Sequence, residues 1–173
     1  MIEVLRLGHR INRDHRISSH VALVARSLNC DKIYYTGQKD KEMEKSVNDI
    51  VNRFGGKFKI EYLEKGIRFI KKKKKDDFFV VHLTCYGLPI QNHISKIRKN
   101  KNVFVIVGGE KVPGEIYQLA DINLSITNQP HSEVSSLAIF LHEFFEGNEL
   151  ELKFDNSKIV IKPSKTGKNV IKL

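Results

Sequence analysis

The chain has 173 residues, which suits one domain with a sizeable single core. No apolar run approaches the roughly 18 residues of a membrane helix, so a membrane-spanning class is excluded and a globular soluble one expected. Thirty Lys and Arg against twenty Asp and Glu give a formal charge of +10, which favours a polyanionic partner such as nucleic acid, with a merely lysine-rich surface as the alternative.

The first element is strand-like, IEVLRL, and since the sequence opens directly on it no signal peptide is expected. The only cysteines, Cys30 and Cys85, make neither a metal-ligand pair nor a disulfide framework, so a reducing, cytoplasmic setting is expected. After the strand the chain is dense in cations and His. Arg10, Arg13 and Arg16 read as a loop of planar guanidinium forks suited to phosphate. Helical spacing then covers 18–29, with Arg26 inside it, reading as a helix-surface Arg, and His20 as a partly buried His.

Further strands are KIYYTG, KFKIEYL, FFVVHLT, NVFVIVGG and INLSIT, and helical spacing falls at 39–54, 64–74, 89–99, 113–120 and 132–146. FFVV and VFVIV are apolar on both faces, as central parallel strands are. Lys71 to Lys75 end a helix, where they complement its dipole, and a solvated face is favoured over an RNA contact. In 132–146, Val134, Leu137, Ala138, Leu141 and Phe145 share one face. Beyond Gly147 the pattern alternates between the turn signals DNS and SKTGKN, reading as a hairpin or β tail. The expectation is an α/β fold with a mainly parallel sheet and helices on both faces, in a domain over 1–150 with a β-rich extension over 151–173.

Ligands of open parallel sheets bind beyond the carboxyl ends of the strands. Three polar or glycine-rich segments sit there: HLTCYG (82–87), VGGEKVPG (107–114) and TNQPHSE (127–133). Paired glycines let a backbone approach a ligand, although Gly108–Gly109 also suits a tight turn before a helix begun by Pro113. GxGxxG, the P-loop, GxSxG and HExxH are all absent. His82 and His131 lack a third ligand, so no metal is expected.

LRLGHRINRDHRISSHVALVARS, HLTCYG, VGGEKVPGEIYQLAD and INLSITNQPHSEVSSLAIFL together resemble the archaeal tRNA 2′-O-methyltransferases that act on cytidine-56 of the T loop, a family of the SPOUT class. The likeness runs from residue 4 to about 141 and is weaker over 37–76. It implies a C-terminal deep trefoil knot, which the general rarity of knots argues against. It also implies a homodimer, S-adenosylmethionine as cofactor and tRNA as substrate. The pocket would take Leu83, Gly108, Gly109, Glu110, Lys111 and Val112. From the last motif it would take Ile126, Thr127, Asn128, Gln129, Pro130, His131, Ser132 and Glu133. The same turn would cap the last helix, whose apolar face would pack at the dimer interface. Related enzymes carry an Asn and, six residues later, an Arg; His20 and Arg26 stand there, so the resemblance gives them the catalytic roles. A guanidinium with pKa above about 12 is a poor base, so Arg26 either deprotonates transiently or fixes a phosphate and polarises the hydroxyl. Arg10, Arg13 and Arg16 would contact RNA. The rivals are another SPOUT RNA methyltransferase and a non-catalytic RNA-binding protein on this fold.

Overall fold

Strand and helix alternate along the chain because apolar runs of four to six residues are separated by amphipathic segments long enough to cross back over a sheet. The computed structural model describes residues 1–109 and 111–173, with the backbone alone at His15. Among the described residues the order is β1 (Ile2–His9), α1 (Ile11–Ser27), β2 (Lys32–Gly37), α2 (Lys41–Phe54), β3 (Lys59–Tyr62) and α3 (Gly66–Lys75). Then come β4 (Phe79–Pro89), α4 (Ile94–Ile97), β5 (Val103–Gly108), α5 (Gly114–Leu119), β6 (Ile122–Ser125) and α6 (Glu133–Phe145). A hairpin of β7 (Ile159–Lys162) and β8 (Asn169–Lys172) closes the chain.

The main sheet has the order β3-β2-β1-β5-β4-β6 and every pair is parallel. On one face Val4, Val81, Val105 and Leu124 pack with Val21, Ala22 and Ala25 of α1 and Leu137, Phe140 and Leu141 of α6. On the other, Leu5, Val80, Phe104 and Ile106 pack with Ile70 of α3 and Ile116 of α5. The strand order turns back on itself between β1 and β5, and such a switch point opens a crevice at the carboxyl ends.

Three expectations are corrected. Helix α1 begins at Ile11, so Arg13 and Arg16 stand on its first turns and not on a loop. Asp14 in that first turn complements the helix dipole, and Gln38 Oε1 accepts the Ile11 amide at 2.7 Å. The inward residues Asp14 and Ser18 continue the buried face of α1, but being polar they hide the period. The apolar face of α6 is buried within the chain against α1 and the sheet, so a dimer interface is not where Leu137 and Leu141 lie. The lysine run is not uniformly solvated either. Lys73 is buried, paired with Glu3 and seated over the Phe78 ring at 4.2 Å. Lys71, Lys72 and Lys74 reach Glu115, Asp76 and Asp121 at 2.6–2.8 Å.

Strand β4 is irregular where the crevice lies. Leu83 and Leu88 both fall opposite Leu124 of β6, so Thr84 to Gly87 are pushed out of register as a bulge within the strand. Gly87 lies so close to β6 that an added β-carbon would stand 2.6 Å from the Asn123 and Leu124 backbone. Gly87→Ala is therefore expected to lower the unfolding free energy by about 1–3 kcal/mol, as overpacking against rigid backbone does. Urea denaturation measures it, and a variant as stable as the parent would show that the bulge can stand off β6.

Candidate functional site

Beyond β4, β5 and β6 lies a cavity of about 310 Å³. The displaced segment of β4 forms one wall with Thr84, Cys85 and Tyr86. Gly108 and Gly109 form a second, and Val112 closes it because Gly108 lacks a side chain: a β-carbon there would meet Val112 Cγ2 at 2.5 Å. Pro130, His131 and Glu133 form the third, where Ser132 Oγ caps α6 by accepting the Ser135 amide at 3.2 Å. Asn128 ties two walls together, its Nδ2 donating to the carbonyls of Cys85 at 2.7 Å and Gly87 at 3.0 Å. His82, Leu83, Tyr117 and Ser136 complete the lining. His131 has both ring nitrogens buried and unpartnered, and His82 has its Nε2 so.

A second cavity, of about 460 Å³, opens beside the first at the ends of β1 and β2. Gly109 lines both, and Arg10, Arg13, Gln38 and Lys111 face the second. Between them Arg6 is buried at the carboxyl end of β1. Its Nη2 donates to Glu133 Oε1 at 3.0 Å and lies 3.9 Å from Asp14 Oδ2, while Nη1 donates to the Leu7 carbonyl. Arg10 holds the other side of Asp14, through Nε at 2.8 Å and Nη2 at 3.3 Å. Burial pulls the Arg6 pKa down, and the Glu133 and Asp14 charges oppose that shift. The Arg10 hydrogen bond comes first among the causes that hold Asp14 below the usual carboxylate range. His9, also lining the second cavity, is fully buried between Ser18 Oγ at 2.8 Å and Asp40 Oδ2 at 3.2 Å, and desolvation lowers its pKa against the pull of Asp40.

The structure gathers Leu83, Gly108, Gly109, Val112, Pro130, His131 and Glu133 of the expected cofactor residues around the first cavity. Lys111 faces the second. Asn128 braces the walls, Ser132 caps α6 and Ile126 packs into the core. Thr127 and Gln129 are exposed, and Glu110 lies outside the described residues. Arg10 and Arg13 line the second cavity, and Arg16 is exposed farther along α1.

Arg26 and His20 do not join either cavity. Arg26 sits in the last turn of α1, ~24 Å of helix beyond Arg10 at about 1.5 Å per residue. That end of α1 lies beside the start of β1, since the Asp31 amide donates to the Ile2 carbonyl. Arg26 is buried there, donating to the Gly55 carbonyl at 2.9 Å and lying 4.5 Å above the Phe154 ring. Its charge anchors the C-terminal segment, and within this one chain the guanidinium reaches neither cavity. His20 is exposed midway along α1. Sequence reasoning missed Arg6, Asp14, Tyr117 and Ser136. Only Arg6 carried a signal, a cation between Leu5 and Leu7 in a strand.

Among the described residues no helix is long and apolar enough to cross a membrane, and no group of three His, Cys, Asp or Glu is placed to hold a metal ion. A family model described as tRNA ribose 2′-O-methyltransferase, aTrm56, matches residues 54–171. A tRNA (cytidine(56)-2′-O)-methyltransferase of Methanococcus maripaludis is 51% identical over 174 residues, covering 98% of this chain and 96% of the relative. One from Thermococcus kodakarensis is 45% identical over 177 residues, covering 100% and 98%. Among solved structures, a TrmH/SpoU tRNA modifying enzyme of A. aeolicus matches with TM-score 0.64 and 16% identity over 87% of this chain and 76% of its own. The SpoU methyltransferase AviRb from Streptomyces viridochromogenes, in complex with AdoMet, matches with TM-score 0.60 and 11% identity over 84% and 57%. At such identities these two structures show a shared fold.

Two outcomes follow from the charges. Arg6→Leu leaves Glu133 and Asp14 facing each other without their shared cation, so denaturant unfolding is expected to show a loss of about 3 kcal/mol. Burial holds the folded pKa of His9 and of His82 below the ordinary imidazole value of about 6.5, so the unfolded chain takes up protons first as pH falls. Stability from both is thus full above about pH 6.5 and shrinks below it. Thermal midpoints recorded from pH 8 to pH 5 should be level and then decline.

Proposed function

The chain belongs to the tRNA ribose 2′-O-methyltransferase family, and on that premise we propose that it transfers the methyl group of S-adenosylmethionine to the ribose 2′-hydroxyl of cytidine-56 in the T loop of tRNA. The observation that carries this reading is the meeting of two cavities at Gly109, one walled by three strand-end loops and the other basic. The first fits the cofactor. Its volume is in the small-molecule range, and its buried, unpartnered ring nitrogens of His82 and His131 call for a ligand with hydrogen-bonding groups. When bound, S-adenosylmethionine supplies an electrophilic methyl group on a sulfonium.

The chain's own part is placement. Gly108 and Gly109 leave room for close backbone approach, and Glu133 puts a carboxylate on the wall while Arg6 fixes its direction. Arg10, Arg13 and Lys111 would hold RNA phosphate in the second cavity, so that a ribose lies at the Gly109 boundary. Holding two reactants in line is the main source of rate for such a transfer, because the donor is already activated. Specificity for the loop would come from RNA shape and phosphate contacts. The threaded knot, the homodimer and the cytoplasmic setting belong to the same proposal. Exposed Ile17 on α1 and Ile139 on the neighbouring α6 suit the dimer face.

The decisive assay is transfer of labelled methyl from S-adenosylmethionine to an unmodified archaeal tRNA transcript, with the product nucleotide mapped. A 2′-O-methylcytidine at position 56 is expected; label at another nucleotide would mean a different RNA methyltransferase, and cofactor binding without transfer to any RNA would leave a binding protein. Arg13→Ala should raise KM for tRNA about tenfold and flatten the salt dependence of binding by about one phosphate contact. Arg26→Lys should turn over at near the parental rate, because its partners are Gly55 and Phe154; a hundredfold loss with the tail still docked would restore Arg26 to the reaction.

A further inference from the structure

His82 is fully buried in β4 and lines the cofactor cavity. Its Nδ1 lies 2.8 Å from Asn123 Oδ1 on β6. The orientation of that amide is itself fixed, because Asn123 Nδ2 donates to the Tyr117 carbonyl at 2.9 Å. Oxygen therefore faces the imidazole, and an amide oxygen can only accept, so Nδ1 carries the proton. The Tyr117 ring stands edge-on to His82 at 4.7 Å and 90°, which holds the imidazole plane. Burial keeps the imidazole pKa below its ordinary value, and the Asn123 bond opposes that only in part. A neutral ring with its proton on Nδ1 has a bare lone pair on Nε2, and that atom is buried with no partner among the described residues.

We propose that His82 reads the cofactor's adenine, its Nε2 accepting a hydrogen bond from the 6-amino group, while Asn123 and Tyr117 act as positioning residues that lock the tautomer. The inference rests on the cofactor reading above and adds a base-specific contact to it. The chemistry singles out the amino group among the cofactor's donors. A fixed acceptor matches a group that only donates, whereas ribose hydroxyls both donate and accept. The α-ammonium is charged and is better met by the Glu133 carboxylate of the same cavity than by a neutral nitrogen in a desolvated corner. Replacing the amino group by a carbonyl, as in the inosine analogue, would set two lone pairs against each other in a buried site.

The test is calorimetric titration of the full-length protein with S-adenosylhomocysteine and with S-inosylhomocysteine. The parent should bind the adenosyl ligand at least about tenfold more tightly, the scale of one buried hydrogen bond lost and one acceptor left unpaired. His82→Gln, whose amide can turn either its oxygen or its nitrogen to the base, should reduce that preference to within about threefold. A folded His82→Gln protein that keeps the full preference would overturn the proposal. Nitrogen NMR on parent protein with labelled histidine is independent of any variant. A non-protonated Nε2 at His82 that moves on adding the adenosyl ligand supports the proposal, and a proton on Nε2 sinks it. Failure of the parent to bind either ligand would remove the cofactor reading itself, and this inference with it.

Discussion

The buried guanidinium of Arg6 is the interaction around which the strand-end region is arranged. A charge removed from water needs partners, and those of its terminal nitrogens come from three separate elements: Glu133 at the start of α6, the Asp14 charge in the first turn of α1, and the carbonyl of Leu7 on its own strand, while its Nε is buried without a hydrogen bond among the described residues. Satisfying one cation therefore fixes the angle at which two helices leave the sheet. Both helix starts carry an acid, which suits the positive end of the dipole and the cation alike. The cavity on the α6 side and the basic cavity on the α1 side inherit their boundary from this cluster, with Gly109 lying directly above the Arg6 Nη atoms.

Irregularity in β4 provides what that cluster cannot, an opening beside a continuous parallel sheet. Four residues leave the register, and Asn128 gathers the freed carbonyls of Cys85 and Gly87 so that the displaced backbone is not left unsatisfied. The same departure leaves His82 as the last regular residue but one of the strand, with its ring turned toward Asn123 and the cavity. A bulge braced this way can form a wall, because Asn128 holds its carbonyls and Thr84 Oγ1 lies 3.3 Å from the Tyr117 hydroxyl.

Charge is distributed unevenly in its consequences. The most conspicuous cationic feature, Lys71 to Lys75, is largely bound by Glu3, Glu115, Asp76 and Asp121, and Lys73 lies among the rings of Tyr34, Phe69, Phe78 and Phe104. Arg26 likewise is taken up by Gly55 and Phe154, which fastens the C-terminal segment to α1 and α2. The cations at the open end of the sheet, Arg10, Arg13 and Lys111, are fewer but stand where a polyanion can reach the second cavity. Surface pairs such as Lys72–Asp76 add little stability; their effect is to shape the field that approaching RNA meets.

By itself the sequence determined the order of strands and helices, the parallel sheet, the terminal hairpin and the three strand-end segments that wall the cavity. Those features follow from local period and from the glycines and polar residues at fixed places in each βα unit, so they are readable in one dimension. It also carried the family, through four motifs in order. It could not tell that the helix after β1 begins at Ile11, because Asp14 and Ser18 are buried by polar partners and break the apolar period. Nor could it separate Arg26 from the arginines near the site, since helix length and direction, and not spacing along the chain, set which end of the sheet a side chain reaches. The tertiary structure decided the roles of Arg6 and His82: burial turned one into a shared counter-ion and the other into a fixed acceptor, and burial depends on neighbours up to 127 positions away along the chain.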